Sequence, residues 1–228
     1  MWSITIDNIK KLGVNDLILF HSASGKDSIA LCDILSKNFR KVLCVFMYIV
    51  KDLNYENGFI EWATNRYKNI EFIKVPHFCL SSWIRNGYLG IKKQKIKNYT
   101  LSRIDRLIRN KHKLDFSVYG SKKVDGLQRR IMLNTYKDGI SYNTRKAYPL
   151  MDMKNKEVLY YIKDNYLIEP FKYCNEKPSS GCDISDPRYL YCVRDKYPND
   201  YNKILNIFPL CEAILQCYEN KAIRNANN

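Results

Sequence analysis

Residues 21–28, HSASGKDS, carry the groups that a phosphate site needs. The small residues Ser22, Ala23, Ser24 and Gly25 let the backbone bend so that successive N–H groups face one anion. A helix entered directly afterwards adds the partial positive charge of its N-terminus. Lys26 supplies a point charge, and Asp27 offers a carboxylate to a metal ion or a substrate group. Ser28 can cap the helix or donate its hydroxyl to a phosphate oxygen. The Gly25-Lys26 pair is not a Walker A turn. That motif requires G-x-x-x-x-G-K-S/T, whereas Phe20 stands five residues before Gly25 and Asp27 follows the lysine.

A second basic group follows Gly120 and comprises Lys122, Lys123, Arg129 and Arg130. An anion held between this turn and the loop over 21–28 would meet positive charge on both sides. Sulfur chemistry is the other candidate. The chain has eight cysteines and no C-x-x-C, which excludes a zinc ribbon or a thioredoxin-type motif. Cys32 and Cys44 fall in core-type elements and read as small buried hydrophobes of a reducing compartment. Cys174, Cys182 and Cys192 lie in the turn-rich tail. A thiolate beside basic residues is activated, so Cys182 and Cys174 are candidates for handling sulfur, alongside a purely structural role. Spacings of eight and ten residues without a fourth cysteine make a poor ligand set, so no iron–sulfur cluster is expected.

The elements that position these residues alternate between apolar runs and amphipathic stretches. Strands are expected at 17–20, 41–50, 70–75 and 114–120, with a short fifth strand or edge segment at 147–150. Helices are expected at 26–37, where Ile29, Cys32 and Leu35 recur about a turn apart, over 58–69, and from residue 154 on. Alternation of this kind predicts a parallel sheet covered on both faces, with ligands at the carboxyl ends of the strands. Past Ile168 the pattern becomes turn-rich, and helices are expected around 187–197 and 199–219. The expected organisation is therefore a nucleotide-binding α/β domain over 1–168 and a helical extension over 169–228.

Three segments resemble the PP-loop ATP pyrophosphatases, in particular the PAPS reductase-like (adenine nucleotide α-hydrolase) branch. That branch includes sulfonucleotide reductases and proteins of phages and DNA-modification systems. Residues 23–28, ASGKDS, are similar to the S-G-G-x-D-S loop, with Ala23 and Ser24 in place of its first Ser and Gly. Residues 120–129 are similar to a G-x-R-x-x-D/E-S-x-x-R segment, with Lys122 where arginine is usual and Gly126 in place of serine. The run Ala147-Tyr148-Pro149-Leu150, ahead of a helix with Val158 and Tyr161-Ile162, resembles the Y-P-L block of that branch. The resemblance implies a five-stranded, mostly parallel sheet and binding of ATP or another adenine nucleotide with Mg²⁺. It further implies α–β cleavage that adenylates an acceptor, in nucleic-acid modification or sulfur transfer. On that reading, residues 22–28 hold the phosphates and Asp27 the Mg²⁺, while Met47 and Tyr48 at the end of the second strand meet the adenine. Gly120, Lys122, Lys123 and Arg129 approach the phosphates from the other side. Two alternatives accompany it. One is a sulfonucleotide reductase, disfavoured because the chain lacks an E-C-G-x-H type motif; the other is a nucleotide-responsive DNA- or protein-binding module without catalysis.

A formal charge of +15, from 38 basic and 23 acidic residues, points to an anionic partner. Residues 90–113 alone contribute nine Lys or Arg against one Asp, a stretch suited to the phosphate backbone of tRNA or DNA. Tyr99 is its only aromatic, so a base-stacking platform is not indicated there. A partner protein is a further candidate. No apolar run approaches the roughly 20 residues of a membrane span. The start MWSITIDNIKKLG lacks a secretory h-region, so a cytoplasmic location is expected.

Overall fold

The computed structural model describes residues 2–90, 95–172 and 183–226. The chain divides into two compact units. The first comprises residues 1–47, 59–75 and 101–170, and the second comprises 48–58, 76–100 and 171–228.

The first unit is built on a six-stranded sheet. Its strands are β1 (Asp16–His21), β2 (Lys41–Tyr48), β3 (Ile70–Pro76), β4 (Ser117–Val118), β5 (Ile140–Ser141) and β6 (Lys146–Ala147), in the order β3-β2-β1-β4-β6-β5. β1 runs parallel to β2 and to β4, with Leu19 opposite Cys44 on one side and Val118 on the other. β4 is parallel to β6, and β5 is antiparallel to it. The chain first moves outward from β1 to β3 and then returns to β4, which places a topological switch point at the carboxyl ends of β1 and β4. Both sides of β1 are occupied by neighbours, so Leu17, Ile18 and Leu19 are fully buried; an uninterrupted apolar run is what such a strand requires.

The sheet has one strand more than the sequence pattern suggests. Two-residue β5 forms because the chain doubles back through Tyr142–Arg145 onto β6, a pairing too short to leave a periodic signal. β4 is correspondingly shorter than the expected 114–120. The N–H of Leu114 still bonds to Arg109 O at the end of the preceding helix, so the ladder begins only at Ser117.

Helices cover the sheet. α1 (Trp2–Lys11) buries Thr5, Ile6 and Ile9, a spacing that the sequence contains and that marks one helical face. α2 (Lys26–Ser36) is almost wholly buried beneath the loop. Its Asp33, fully buried, accepts hydrogen bonds from Tyr67 (2.8 Å), Tyr161 (2.6 Å) and Lys37 (2.7 Å). Those bonds tie α2 to α7 (Asn155–Asp164) and to the chain just past α3 (Asn54–Arg66). After α4 (Phe78–Asn86), α5 (Leu101–His112) turns the basic segment into an amphipathic helix that buries Ile104, Asp105 and Ile108. Arg109 does not present a free charge to solvent. It binds Asp105 (2.9 Å), Ser117 Oγ (3.0 Å) and the carbonyls of Asp115, Thr144 and Arg145, locking α5 to the sheet.

In the second unit, α8 (Pro187–Lys196), α9 (Pro198–Ile207) and α10 (Cys211–Ala226) pack on one another, and Tyr55 meets residues of α8 and α9. The Tyr55 and Tyr189 hydroxyls lie 2.8 Å apart, and buried Asp200 accepts the Tyr55 N–H at 3.1 Å. The stretch expected as one helix over 199–219 is two, because Pro209 interrupts it. No helix among the described residues is long and apolar enough to cross a membrane.

Candidate nucleotide site

The turn between β1 and α2 is closed by two serines. Ser28 Oγ accepts the Ser22 N–H at 2.9 Å and lies 3.0 Å from Ser22 Oγ. Ser28 therefore staples the loop and does not cap α2, whose N-cap residue, Gly25, makes no side-chain bond. Ala23 adopts φ 44°, a left-handed conformation that costs a non-glycine residue about 1–2 kcal/mol. Such strain persists only where the surroundings impose it; here Ala23 and Ser24 are both buried within the turn. The first helical bond runs from Ile29 N–H to Gly25 O, so the amides of Lys26, Asp27 and Ser28 precede the α2 ladder. Their partial positive charge faces the loop.

The turn after β4 meets this loop through ion pairs. Lys122 is fully buried, with Nζ 2.6 Å from Asp27 Oδ1 and 3.2 Å from Asp125 Oδ1. Lys26 Nζ takes the other Asp27 oxygen at 3.1 Å. Asp125 in turn accepts the backbone N–H of Lys122 at 2.8 Å and Arg129 at 3.1 Å. Gly120 lies so close that a Cβ on it would come 3.2 Å from Asp27 Cβ, which explains a glycine at that strand end. Gly126 has φ 149°, a region open to glycine and strained for the serine of the resembling motif. Asp27 Oδ1 and Lys122 Nζ are paired in charge but have no hydrogen-bond partner at a good angle.

Lys26, Asp27, Gly120, Lys122 and Arg129 thus converge at the switch point, together with Ser22, Ala23, Ser24, Gly25 and Ser28 of the loop. Lys123 is turned elsewhere: its Nζ pairs with Asp152 at 2.7 Å and its N–H bonds to Met151 O. Met47 and Tyr48 end β2, both partly buried. Cys174 and Cys182 lie outside the described residues. Asp125 joins this cluster by pairing with both Lys122 and Arg129. Its signal in the sequence was the i, i+4 spacing to Arg129. His21, 5% exposed, packs edge-on against Phe72 and stands beside Cys32. A hydrogen bond with Cys44, and after it one with His21, lowers the Cys32 thiol, while burial pushes the Cys44 thiol up.

A mostly parallel sheet with a small-residue loop at its switch point, answered by a basic turn from the neighbouring strand, defines a nucleotide-binding α/β protein of PP-loop type. Residues 18–175, more than half the chain, match the phosphoadenosine phosphosulfate reductase domain, and the protein belongs to that family. Among solved structures, the NH3-dependent NAD synthetase of Campylobacter jejuni subsp. jejuni NCTC 11168, in complex with nitrate, is similar in fold. It is 14% identical with a TM-score of 0.50, over 99% of this chain and 91% of the synthetase. The U34-tRNA thiolase NcsA of Methanococcus maripaludis, with its 4Fe–4S cluster, matches at 12% identity and a TM-score of 0.44, over 96% of this chain and 77% of the thiolase. No curated protein matches the chain.

Proposed function

We propose that the protein binds ATP, or another adenine nucleotide, at the loop over 22–28 and cleaves its α–β bond to adenylate an acceptor, in nucleic-acid modification or sulfur transfer. The observation that carries this reading is the buried Lys122–Asp27–Lys26 chain of charges, which joins the two strand-end turns at the switch point. An acceptor oxygen attacks the α-phosphorus, and the bond to the bridging oxygen breaks so that pyrophosphate leaves with that electron pair. A sulfur or nitrogen nucleophile then displaces AMP from the acceptor. The amides of the first α2 turn and Lys26 hold the departing pyrophosphate, and Lys122 with Arg129 neutralises charge from the opposite side. Asp27, whose carboxylate remains partly exposed beside Lys26, would hold a Mg²⁺, an ion that would supply further neutralisation. Lys123, held on Asp152, would join only by leaving that partner. Met47 and Tyr48 would line the adenine. The exposed Arg106, Lys111 and Lys113, on and just past α5, are suited to the backbone of a tRNA or DNA acceptor.

Incubation with ATP and Mg²⁺, with and without tRNA or DNA, tests this through release of pyrophosphate. Lys26→Ala should abolish nucleotide binding; unchanged affinity would remove the site assignment. One observation favours a second reading, a nucleotide-responsive binding module. Both Asp27 oxygens already face ammonium groups, so the loop charges are largely satisfied within the protein. Tight ATP binding with no pyrophosphate under any condition would establish that second reading. Turnover of adenosine phosphosulfate with a thiol donor would instead point to a reductase.

A further inference from the structure

The helix that carries Arg129 has a second face that the nucleotide chemistry does not use. α6 (Leu127–Asn134) follows a 3₁₀ turn at Lys123–Asp125, and its only buried residue is Leu133. Leu127 is 69% exposed, Ile131 61% and Val124 47%, an unusual concentration of aliphatic surface in eight residues. Leu127 and Ile131 stand four apart, so they share one side of the helix, with Arg130 flanking them and polar Asn134 ending the stripe. Arg129 projects from the other side, toward Asp125. α6 contains no acidic residue, and Arg130 is exposed.

We propose that this face docks a protein partner whose helix or strand presents apolar anchors within an acidic surface, and so brings that partner beside the Lys122–Asp125–Arg129 cluster. Charge selects the partner. The chain carries +15, and α6, with two arginines and no carboxylate, complements acid. A second copy of this chain would set Arg130 against Arg130, which opposes self-association through the same patch. Nucleic acid would use the arginines but would leave the three aliphatic side chains without a matching surface, since bases stack on aromatic rings. A protein anchor fills that apolar stripe while its acidic rim meets the arginine, the usual division between the core and rim of an interface.

The test uses a fluorescent helical peptide of about 18 residues, rich in glutamate with leucines at i, i+4 and i+7, titrated into the full chain by anisotropy. The peptide should bind, and Leu127→Ser with Ile131→Ser should weaken it about tenfold or more while ATP affinity on the same samples stays unchanged. Arg130→Glu should weaken it as well. Absence of binding, insensitivity to the two serines, or equal binding of a glutamate peptide without leucines would overturn the proposal. A single-stranded oligonucleotide whose binding is lost in the serine variant would reassign the face to nucleic acid. A dimer seen by light scattering and lost in that variant would reassign it to a second copy. Because ATP binding is read separately, failure of the nucleotide reading and failure of this one are distinguishable.

Discussion

Replacing Asp27 by alanine leaves the fully buried Lys122 ammonium with Asp125, 3.2 Å away, as its remaining counter-ion. Attraction between charges falls inversely with distance, so Asp27, at 2.6 Å, supplies slightly more than half of the direct stabilisation. Removing one partner of a buried pair costs about 3–5 kcal/mol; with Asp125 retained, the expected loss is about 2–3 kcal/mol. The complementary change behaves differently. Lys122→Met removes the desolvated ion itself and fills its space with a side chain of similar shape. Afterwards Asp27 keeps Lys26 at 3.1 Å, and Asp125 keeps Arg129 at 3.1 Å and a backbone N–H at 2.8 Å. Its expected cost is about 1 kcal/mol or less. The double variant should resemble Lys122→Met alone, because the orphaned charge that makes Asp27→Ala costly is gone. Urea unfolding of the three variants, compared by midpoint at constant slope, reads these differences. Equal losses for the two single variants, or a double variant equal to their sum, would refute the reasoning.

Gly126→Ser, which restores the residue of the resembling motif, should destabilise the protein by about 1–2 kcal/mol because φ 149° is strained for serine. Reduced thermal stability would show it, and an unchanged midpoint would mean that the backbone there relaxes freely. Tyr161→Phe removes one of three donors to buried Asp33 and should cost about 1.5–3 kcal/mol, read by calorimetry. Asp186 caps α8 by accepting the Arg188 N–H at 2.9 Å, and the hydrogen bond from the Arg188 side chain holds its carboxyl below the usual range. A carboxyl lowered in the folded state contributes stability above its unfolded value of about 3.9 and loses it as pH falls through the lowered value. Asp186→Ala should therefore destabilise by about 1 kcal/mol at neutral pH, with the difference from wild type shrinking below about pH 4. A difference that persists in acid would dissociate the cap from that carboxylate.

The loop over 22–28 was legible because its pattern is local. A short apolar strand, small residues, Lys26, Asp27 and a helix are adjacent in the chain, and phosphate binding needs them adjacent. The strands β1 to β3 were equally readable, since each is long enough to show its pattern. Two-residue β5 leaves no periodic trace, and α1 shows its face only through the short spacing of Ile6 and Ile9. Lys122 and Lys123 show where local reading stops. Neighbours of the same type, they looked interchangeable, yet one is sealed between Asp27 and Asp125 and the other is held on Asp152.

By itself, then, the sequence determined the class of loop, the parallel α/β character and the positive charge, because each depends on residue type or short-range spacing. Only the tertiary structure decided that Asp27 answers a lysine 95 residues further on, that Asp125 links that lysine to Arg129, and that α6 leaves its aliphatic face uncovered. Those are facts of strand order. β4 lies beside β1 in space although β2 and β3 intervene in the chain, and charge–charge contact follows distance in space, not in sequence.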